Sequence, residues 1–252
     1  MLLLEYDGSR YAGSQLQTNA VTVQSVLEKA IHETIGASAR VEFAGRTDAG
    51  VHALGQVASF LTVSRHSTEV FERALNARLP EDVVIRCAAE VETTFDVRRQ
   101  ARRRHYRYLI DNSRVRPVLN RQRAWHVPAP LDVESMACAA RALVGRHDFA
   151  AFASRLEDPE ASTVRDLYAF EVSRSGDEVR LEVAANAFLP HQVRRMTGAL
   201  VDVGKGKLRA EDYGRLLAGE PASAGPAAPA HGLYLVRVEY DEDPFITLDS
   251  EL

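Results

Sequence analysis

One aspartate in this chain has neighbours that could give it a chemical role. Asp48 lies in the stretch AGRTDAGVHALGQ, between Gly45 and Gly50, with Arg46 two residues before it and His52 four residues after it. Glycines permit a tight turn, and a nearby guanidinium favours the ionised carboxylate. The pattern fits a displayed nucleophile or general base. It also fits an aspartate that serves the turn alone, and the stretch by itself leaves both readings open.

A strongly basic segment lies near the middle of the chain. Ten arginines and a single acid, Asp111, fall between Arg98 and Arg123, although the net charge of the whole chain is −4. Aromatic and imidazole side chains lie among or just after them: His105, Tyr106, Tyr108 and Trp125. Arginines with interleaved aromatics suit phosphate contacts and base stacking. The alternative is a solvated charged face.

A second pair of arginines, Arg194 and Arg195, lies on a helix predicted from Ala187 to Val203. The apolar stripe of that helix lies on the opposite side and consists of Val193, Met196, Leu200 and Val203. The two arginines either face solvent, or one of them reaches a cleft and pairs with a carboxylate there.

Other chemistries find little support in the sequence. The chain has no GxxxxGK[ST] and no strand-GxGxxG-helix pattern, no HExxH, and only two cysteines in unrelated contexts. We therefore expect no phosphate-cradling nucleotide loop, no metal and no disulfide. His52 and His191 have interesting neighbours, yet each is expected to be a hydrogen-bonded structural histidine. The N-terminal apolar run of three residues is too short for a signal peptide or a membrane span, so we expect a cytoplasmic protein that does not enter a membrane.

The order of predicted elements indicates an α+β fold. In the first half these are strands Leu2–Tyr6, 40–43, 56–63 and 83–91 and helices Val23–Ile35 and 68–79. In the second half they are strands 105–110, 165–172, 178–184 and 233–240 and helices 133–144, 187–203 and 209–217. Thr22 is expected to cap the first helix and Gly36 to end it. Each half reads as a ferredoxin-like, or RRM-like, βαββαβ unit. We predict domains 1–103 and 104–252, with a catalytic cleft between their open sheet faces. The segment 221–229 is predicted to be an ordered or semi-ordered loop and not a domain linker.

Several blocks resemble tRNA pseudouridine synthases of the A type over nearly the whole chain. They are LEYDGSRYAGSQLQ, TVQSVLEKAI, AGRTDAGVHALGQV, ALNARLP, RRHYRYLI, GRHDFAAF, ANAFLPHQVRR, GALVDVGKG and APAHGLYLVRVEY, in this order. The resemblance implies an isomerase that converts uridine to pseudouridine at positions 38, 39 and 40 in the anticodon stem-loop of tRNA. It also implies a homodimer and a reaction that needs no cofactor.

The resemblance also implies roles for individual residues. Asp48 matches the catalytic aspartate, Tyr106 the tyrosine packed against the uracil, and Arg194 the arginine that pairs with the aspartate. Arg46 matches the residue that helps to flip the target base. The expected substrate contacts are Arg46, Tyr106, Phe95, Arg98, Arg99 and His52.

This chain departs from the family pattern in two places that bear on tRNA. The usual GWQRQ reads GSQLQ, so that Ser14 and Leu16 replace an aromatic residue and a cation. The usual FHARF reads FDVRR, which places Asp96 where a histidine is common. That carboxylate is expected to weaken phosphate contact locally, with Arg99 able to restore it.

Two other functions fit part of the pattern. A non-catalytic RNA-binding protein with paired RRM-like halves would explain the fold and the arginines, but it does not require Asp48, Tyr106 and Arg194 together. A nucleoside or glycoside hydrolase would use Asp48 but needs a second carboxylate, and Glu42 is not obviously placed for that.

Overall fold

The structure is a computed structural model that describes residues 1–154, 158 and 160–245. Helices and strands are mixed along the chain, which confirms the predicted α+β class. The strands are β1 Leu2–Tyr6, β2 Glu42–Phe43, β3 His52–Ser59, β4 Val83–Ala88, β5 Arg103–Asp111, β6 Trp125–His126, β7 Gly145–Asp148, β8 Val164–Ser175, β9 Glu178–Ala185 and β10 Leu233–Glu239. The helices are α1 Val23–Ile35, α2 Thr68–Asn76, α3 Val133–Arg141, α4 Gln192–Gly204 and α5 Ala210–Tyr213.

The chain divides into two compact units. The first contains Met1–Arg104 together with the chain from Leu235 onward, and the second contains His105–Tyr234. Most of β10, expected as the last strand of the second half, thus groups with the first unit, where it pairs with β3. Gly55 of β3 permits this pairing, because a Cβ there would lie 2.4 Å from the carbonyl oxygen of Val236.

The first unit has the predicted ferredoxin-like order. Its chain order is β1-α1-β2-β3-α2-β4, and its strands lie in the order β4-β1-β3-β10, with β2 paired to β3. β1 runs antiparallel to both β3 and β4. The helices and the sheet share a core of fully buried side chains, which include Leu2, Leu4 and Ile85 from the strands and Leu27, Ile31 and Leu75 from the helices.

Helix α1 confirms the sequence prediction in both its bounds and its caps. Thr22 Oγ1 accepts the N–H of Ser25 in a capping box, and Gly36 ends the helix at φ 71°. A threonine before the helix and a left-handed glycine after it are strong local signals, so this helix could be predicted without knowledge of its packing.

The second unit has strands in the order β5-β9-β8-β7, with β6 running parallel to the end of β5. Helix α3 packs on β8 and against α4. The centre of this core is rich in aromatic rings, and its largest buried side chains are Tyr108, Ile110, Met136, Phe149, Phe152 and Tyr213.

Two predicted boundaries near the functional residues were wrong. Helix α4 begins at Gln192, not at Ala187, because Pro190 precedes it and His191 adopts a left-handed φ of 61°. Strand β3 begins at His52, not at Gln56. The polar residues His52 and Gln56 are both buried, and their polarity made the first part of the strand unrecognisable from the pattern of apolar residues. Among the described residues, no helix is long and apolar enough to cross a membrane.

Candidate active site

Asp48 lies in the connection between β2 and β3 and is half-buried. Its carbonyl oxygen accepts the N–H of Val51 at 3.1 Å, which closes a four-residue turn. Gly50 is the third residue of that turn and has φ 80°, the value that a type II turn requires at this position. The turn predicted from the sequence is therefore present, and Asp48 is its first residue.

The residues just before Asp48 are held by buried polar side chains. Thr47 donates its N–H to Ser14 Oγ at 2.9 Å, and its Oγ1 lies 2.8 Å from the hydroxyl of Tyr6. Gln56 donates from Nε2 to the carbonyl of Gly45 at 2.7 Å. Burial raises the pKa of Tyr6 to about 12, so its phenol stays neutral. Buried side chains thus fix the backbone that leads into the turn, while Asp48 stays partly open to solvent.

Arg46 and His52 lie in different environments. Arg46 is exposed, which leaves its guanidinium in reach of a nucleic acid. His52 is 2 % exposed, and its Nδ1 accepts the N–H of Gly8 at 3.1 Å and lies 3.1 Å from Asp7 Oδ1. His52 therefore joins the start of β3, directly after the Asp48 turn, to the segment that follows β1. This agrees with the structural role expected from the residues alone and leaves almost no surface for a substrate contact.

The predicted tRNA-contacting segment, residues 95–99, lies in the same unit as Asp48. Phe95 packs its ring 5.3 Å from the ring of Tyr240. Asp96 Oδ1 accepts the N–H groups of Arg98 and Arg99, each at 2.9 Å. These hydrogen bonds from backbone N–H groups hold the pKa of Asp96 below its usual range, and the bond from Arg99 has the larger effect. Asp96 thus orders the segment and leaves the side chains of Arg98 and Arg99 exposed.

Arg104 connects this segment to the base of the Asp48 turn. Its buried guanidinium donates to the carbonyls of Ala44 at 2.9 Å, Arg98 at 2.6 Å and Ala101 at 2.9 Å. Sequence reasoning counted Arg104 only as one arginine of the basic stretch. The alternation of β5 was the available signal, since Arg104, Tyr106 and Tyr108 share its buried face.

In the second unit, Tyr106 lies on the buried face of β5 and is 7 % exposed. Its ring contacts Phe188 edge to face, with centroids 5.2 Å apart at 87°. Phe188 stands just before α4 and was not singled out from the sequence. An edge-to-face pair fixes the plane of the tyrosine ring, which suits a residue that must hold a flat base.

Arg194 and Arg195 do not form a solvated face. Arg194 donates from Nε to the carbonyl of Ala228 at 2.7 Å, and its own carbonyl accepts the N–H of Ala228 at 2.9 Å. Arg195 donates from Nη1 to the carbonyls of Ala222 and Gly225, at 2.9 and 2.6 Å. Helix α4 therefore holds the Ala/Pro segment 221–229, which is an ordered loop as expected.

His191 precedes α4 and was the other histidine expected to be structural. Its Nδ1 lies 2.6 Å from Ser154 Oγ, which confirms the hydrogen bond. Among the residues that the structure describes, no group of three or more His, Cys, Asp or Glu side chains could hold a metal ion.

The predicted site residues fall into two sets, one in each unit. The first unit carries Asp48, Arg46, His52, Phe95, Arg98 and Arg99, and the second carries Tyr106 and Arg194. A cavity of about 650 Å³ also lies in the first unit. Of the predicted residues it contacts Phe95 alone, and it is lined by the far end of β3 around Phe60, so the Asp48 turn does not open into it.

Comparison with known proteins gives a consistent result over nearly the whole chain. The model of a family described as tRNA pseudouridine synthase matches residues 3–98 and 139–241. A protein named tRNA pseudouridine synthase A from Roseiflexus sp. (strain RS-1) is 46% identical over 246 residues, which cover 96% of this chain and 90% of that protein. Proteins of the same name from Myxococcus xanthus and Thermoanaerobacter sp. (strain X514) are 46% and 41% identical, over 96% and 95% of this chain and 92% and 98% of their own lengths.

Proposed function

Because the chain belongs to the tRNA pseudouridine synthase family, we propose that it converts uridine to pseudouridine at positions 38, 39 and 40 of the tRNA anticodon stem-loop. The predicted isomerase class is confirmed by this membership. The observation that carries the proposal is the half-buried Asp48 on a turn whose neighbouring backbone is fixed by Ser14, Tyr6 and Gln56. A fixed carboxylate with partial access to solvent is what a positioned nucleophile or base requires.

The reaction needs no redox partner because it is an isomerisation. The C1′–N1 bond of the uridine breaks, the uracil turns, and a C1′–C5 bond forms. C5 loses its proton and N1 gains one, so atoms and electrons balance. We propose Asp48, in its ionised form, as the nucleophile or base of the first step.

Arg194 is proposed as the cation that keeps Asp48 ionised, since a carboxylate in a partly buried site needs a positive partner. Its Nε is committed to Ala228, which fixes the plane of the guanidinium. Tyr106 is proposed to hold the freed uracil and to assist loss of the C5 proton. Its burial and its contact with Phe188 support that role.

The target base lies in or beside a stem and must be extruded, which costs a few kcal/mol of unstacking. Arg46 is proposed to favour the extruded state, while Phe95, Arg98 and Arg99 contact the tRNA. We propose that His52 acts through the turn and not by direct contact, because so little of it is exposed. On the family resemblance, we also propose a homodimer that works in the cytoplasm.

The test is tritium release from unmodified tRNA that carries [5-³H]uridine, because C5 must lose its hydrogen in this isomerisation. We expect release by the native protein and by Glu33→Gln, a surface control, and none by Asp48→Asn. Chemical labelling of pseudouridine followed by reverse transcription should then map the product to positions 38, 39 and 40.

Each other outcome is informative. Absence of release with tRNA binding intact would favour the non-catalytic RNA-binding alternative. Release by Asp48→Asn at the native rate would keep the isomerase and refute Asp48 as the nucleophile or base. Product at other positions would refute the choice of target.

A further inference from the structure

The connection between β5 and β6, residues 112–124, carries a concentrated positive charge. We call this segment the arginine arm. It contains four arginines and no acidic residue, in a chain whose net charge is −4. They are Arg114, Arg116, Arg121 and Arg123, and all four are exposed.

The backbone of the arginine arm is fixed at both ends. His126 Nε2 lies 2.9 Å from the carbonyl of Ser113, and Ser113 Oγ donates to the carbonyl of Val115 at 2.8 Å. At the other end, the hydroxyl of Tyr234 donates to the carbonyl of Arg123 at 2.7 Å. The arm is therefore ordered before any ligand binds, which lowers the entropy cost of binding.

No acidic side chain among the described residues pairs with Arg114, Arg116 or Arg121 of the arm. In the part of the chain that the structure describes, the side chains of Arg114 and Arg116 have no hydrogen-bond or ion-pair partner, and Arg121 reaches only the carbonyl of Val118. Other arginines of the basic stretch are paired with acidic side chains, as in Arg107 with Glu182 at 2.7 Å. An ordered segment that displays unneutralised guanidinium groups is suited to an external polyanion.

We propose that the arginine arm binds the phosphate backbone of the substrate tRNA, away from the nucleotide that reacts. This inference rests on the proposed function for the identity of the polyanion. Asp111 is five positions after Tyr106 on β5, which is about 17 Å along an extended strand. The arm therefore begins well away from the ring proposed to hold the uracil, and we assign to its arginines affinity and register, not the reading of a base.

A second copy of this chain is a poorer occupant, although Val118 and Leu119 are 64% and 91% exposed. A two-fold interface centred on the arm would place each arginine opposite the same arginines of the partner. Like charges at close range repel, whereas phosphates would neutralise them and release counterions.

The test compares the triple variant Arg114→Gln/Arg116→Gln/Arg121→Gln with the native protein for affinity to an unmodified tRNA transcript at several salt concentrations. Log affinity falls as log salt concentration rises, and each lost phosphate contact reduces the steepness of that fall by about 0.7 to 0.9. We expect the slope to fall by about 2 to 3 and the Kd at moderate salt to rise about tenfold. The matched control is Arg40→Gln/Arg86→Gln/Arg209→Gln, which removes three exposed arginines that pair with Glu28, Glu5 and Asp212.

An unchanged slope in the arm variant would overturn the proposal, and so would an equal fall in the control, which would indicate net charge alone. Sedimentation distinguishes the other occupant: if the arm variant loses a dimer and keeps the native slope, the arm joins two copies and the proposal fails. Tritium release by the native protein is a separate readout. If it is absent while the arm variant shows the reduced slope, the arm remains an RNA-binding surface and the isomerase proposal falls.

Discussion

Ser14 and Thr47 hold each other by two hydrogen bonds across 33 residues of sequence. Ser14 Oγ accepts the N–H of Thr47 at 2.9 Å, and the N–H of Ser14 donates to the carbonyl of Thr47 at 3.0 Å. Ser14 is fully buried and stands where the family resemblance expects tryptophan, whose indole N–H can only donate. The departure therefore provides a side-chain acceptor to the residue that precedes Asp48.

We expect Ser14→Ala to loosen the Asp48 turn. The substitution leaves the buried N–H of Thr47 without an acceptor, which costs about 1 to 3 kcal/mol. Urea unfolding should report that loss, and kcat for tritium release should fall about tenfold with little change in KM. Thr34→Val is the control, because it removes a hydroxyl that donates to a carbonyl within α1 and should leave kcat unchanged. A native kcat in Ser14→Ala would show that the bond does not position the turn.

Arg104→Lys should impair binding and chemistry together. An ammonium group lacks the planar fork that reaches three carbonyls, so the first unit should lose about 3 kcal/mol of stability and kcat/KM should fall at least about tenfold. Arg107→Lys is the control three residues along β5, where one partly exposed ion pair changes. If both variants behave alike in urea unfolding and in tritium release, Arg104 has no special positioning role.

Asp96 gives a pH dependence whose sign follows from its bonds. The backbone N–H groups of Arg99 and Arg98 lower the pKa of the folded carboxyl below that of the unfolded chain. The ordering it provides is therefore complete above the unfolded pKa, near 4, and is lost as the pH falls through the lower folded pKa. In NMR titrations the amide shifts of Arg98 and Arg99 should move with a midpoint below 3.8, the ordinary pKa of an aspartate side chain. Asp96→Asn should abolish that transition, and a midpoint above 3.8 would contradict the assignment.

Phe188→Leu tests whether the ring of Tyr106 must be held at its observed angle. Loss of the edge-to-face contact removes about 0.5 to 1.5 kcal/mol, and we expect kcat to fall about threefold to tenfold while tRNA affinity stays near native. Phe149→Leu is the control, since it removes a fully buried ring that contacts Phe152. In a Tyr106→Ala background, Phe188→Leu should have no further effect on kcat. An additive loss of kcat would show that Phe188 does not act through Tyr106.

Local signals were enough to predict much of the fold. Helix α1 was predicted to the residue because Thr22 and Gly36 mark its ends, and the βαββαβ order of the first unit followed from alternating apolar periods. The displaced starts of β3 and α4 could not be predicted in this way. His52 is buried through its bonds to residues that lie at least 44 positions away in the chain. His191 takes a left-handed conformation that cannot be predicted from its residue type.

The candidate site followed the same division. Asp48 and its turn could be singled out from one short stretch, because glycines and an arginine surround the carboxylate within nine residues. Ser14, Arg104 and Phe188 could not, because their partners lie 33, 60 and 82 positions away in the chain. Their types are unremarkable, and only the folded chain shows what they hold.

The three acceptors of Arg104 have a consequence for how the first unit assembles. A guanidinium is charged at every physiological pH, so its removal from water is favourable only once the carbonyls of Ala44, Arg98 and Ala101 are all in position. An intermediate with one of these segments misplaced would bury an unsatisfied cation. The Asp48 turn and the segment that displays Arg98 and Arg99 should therefore order in a single cooperative folding step, so that Arg98 and Arg99 are not held in fixed positions while the Asp48 turn is still unformed.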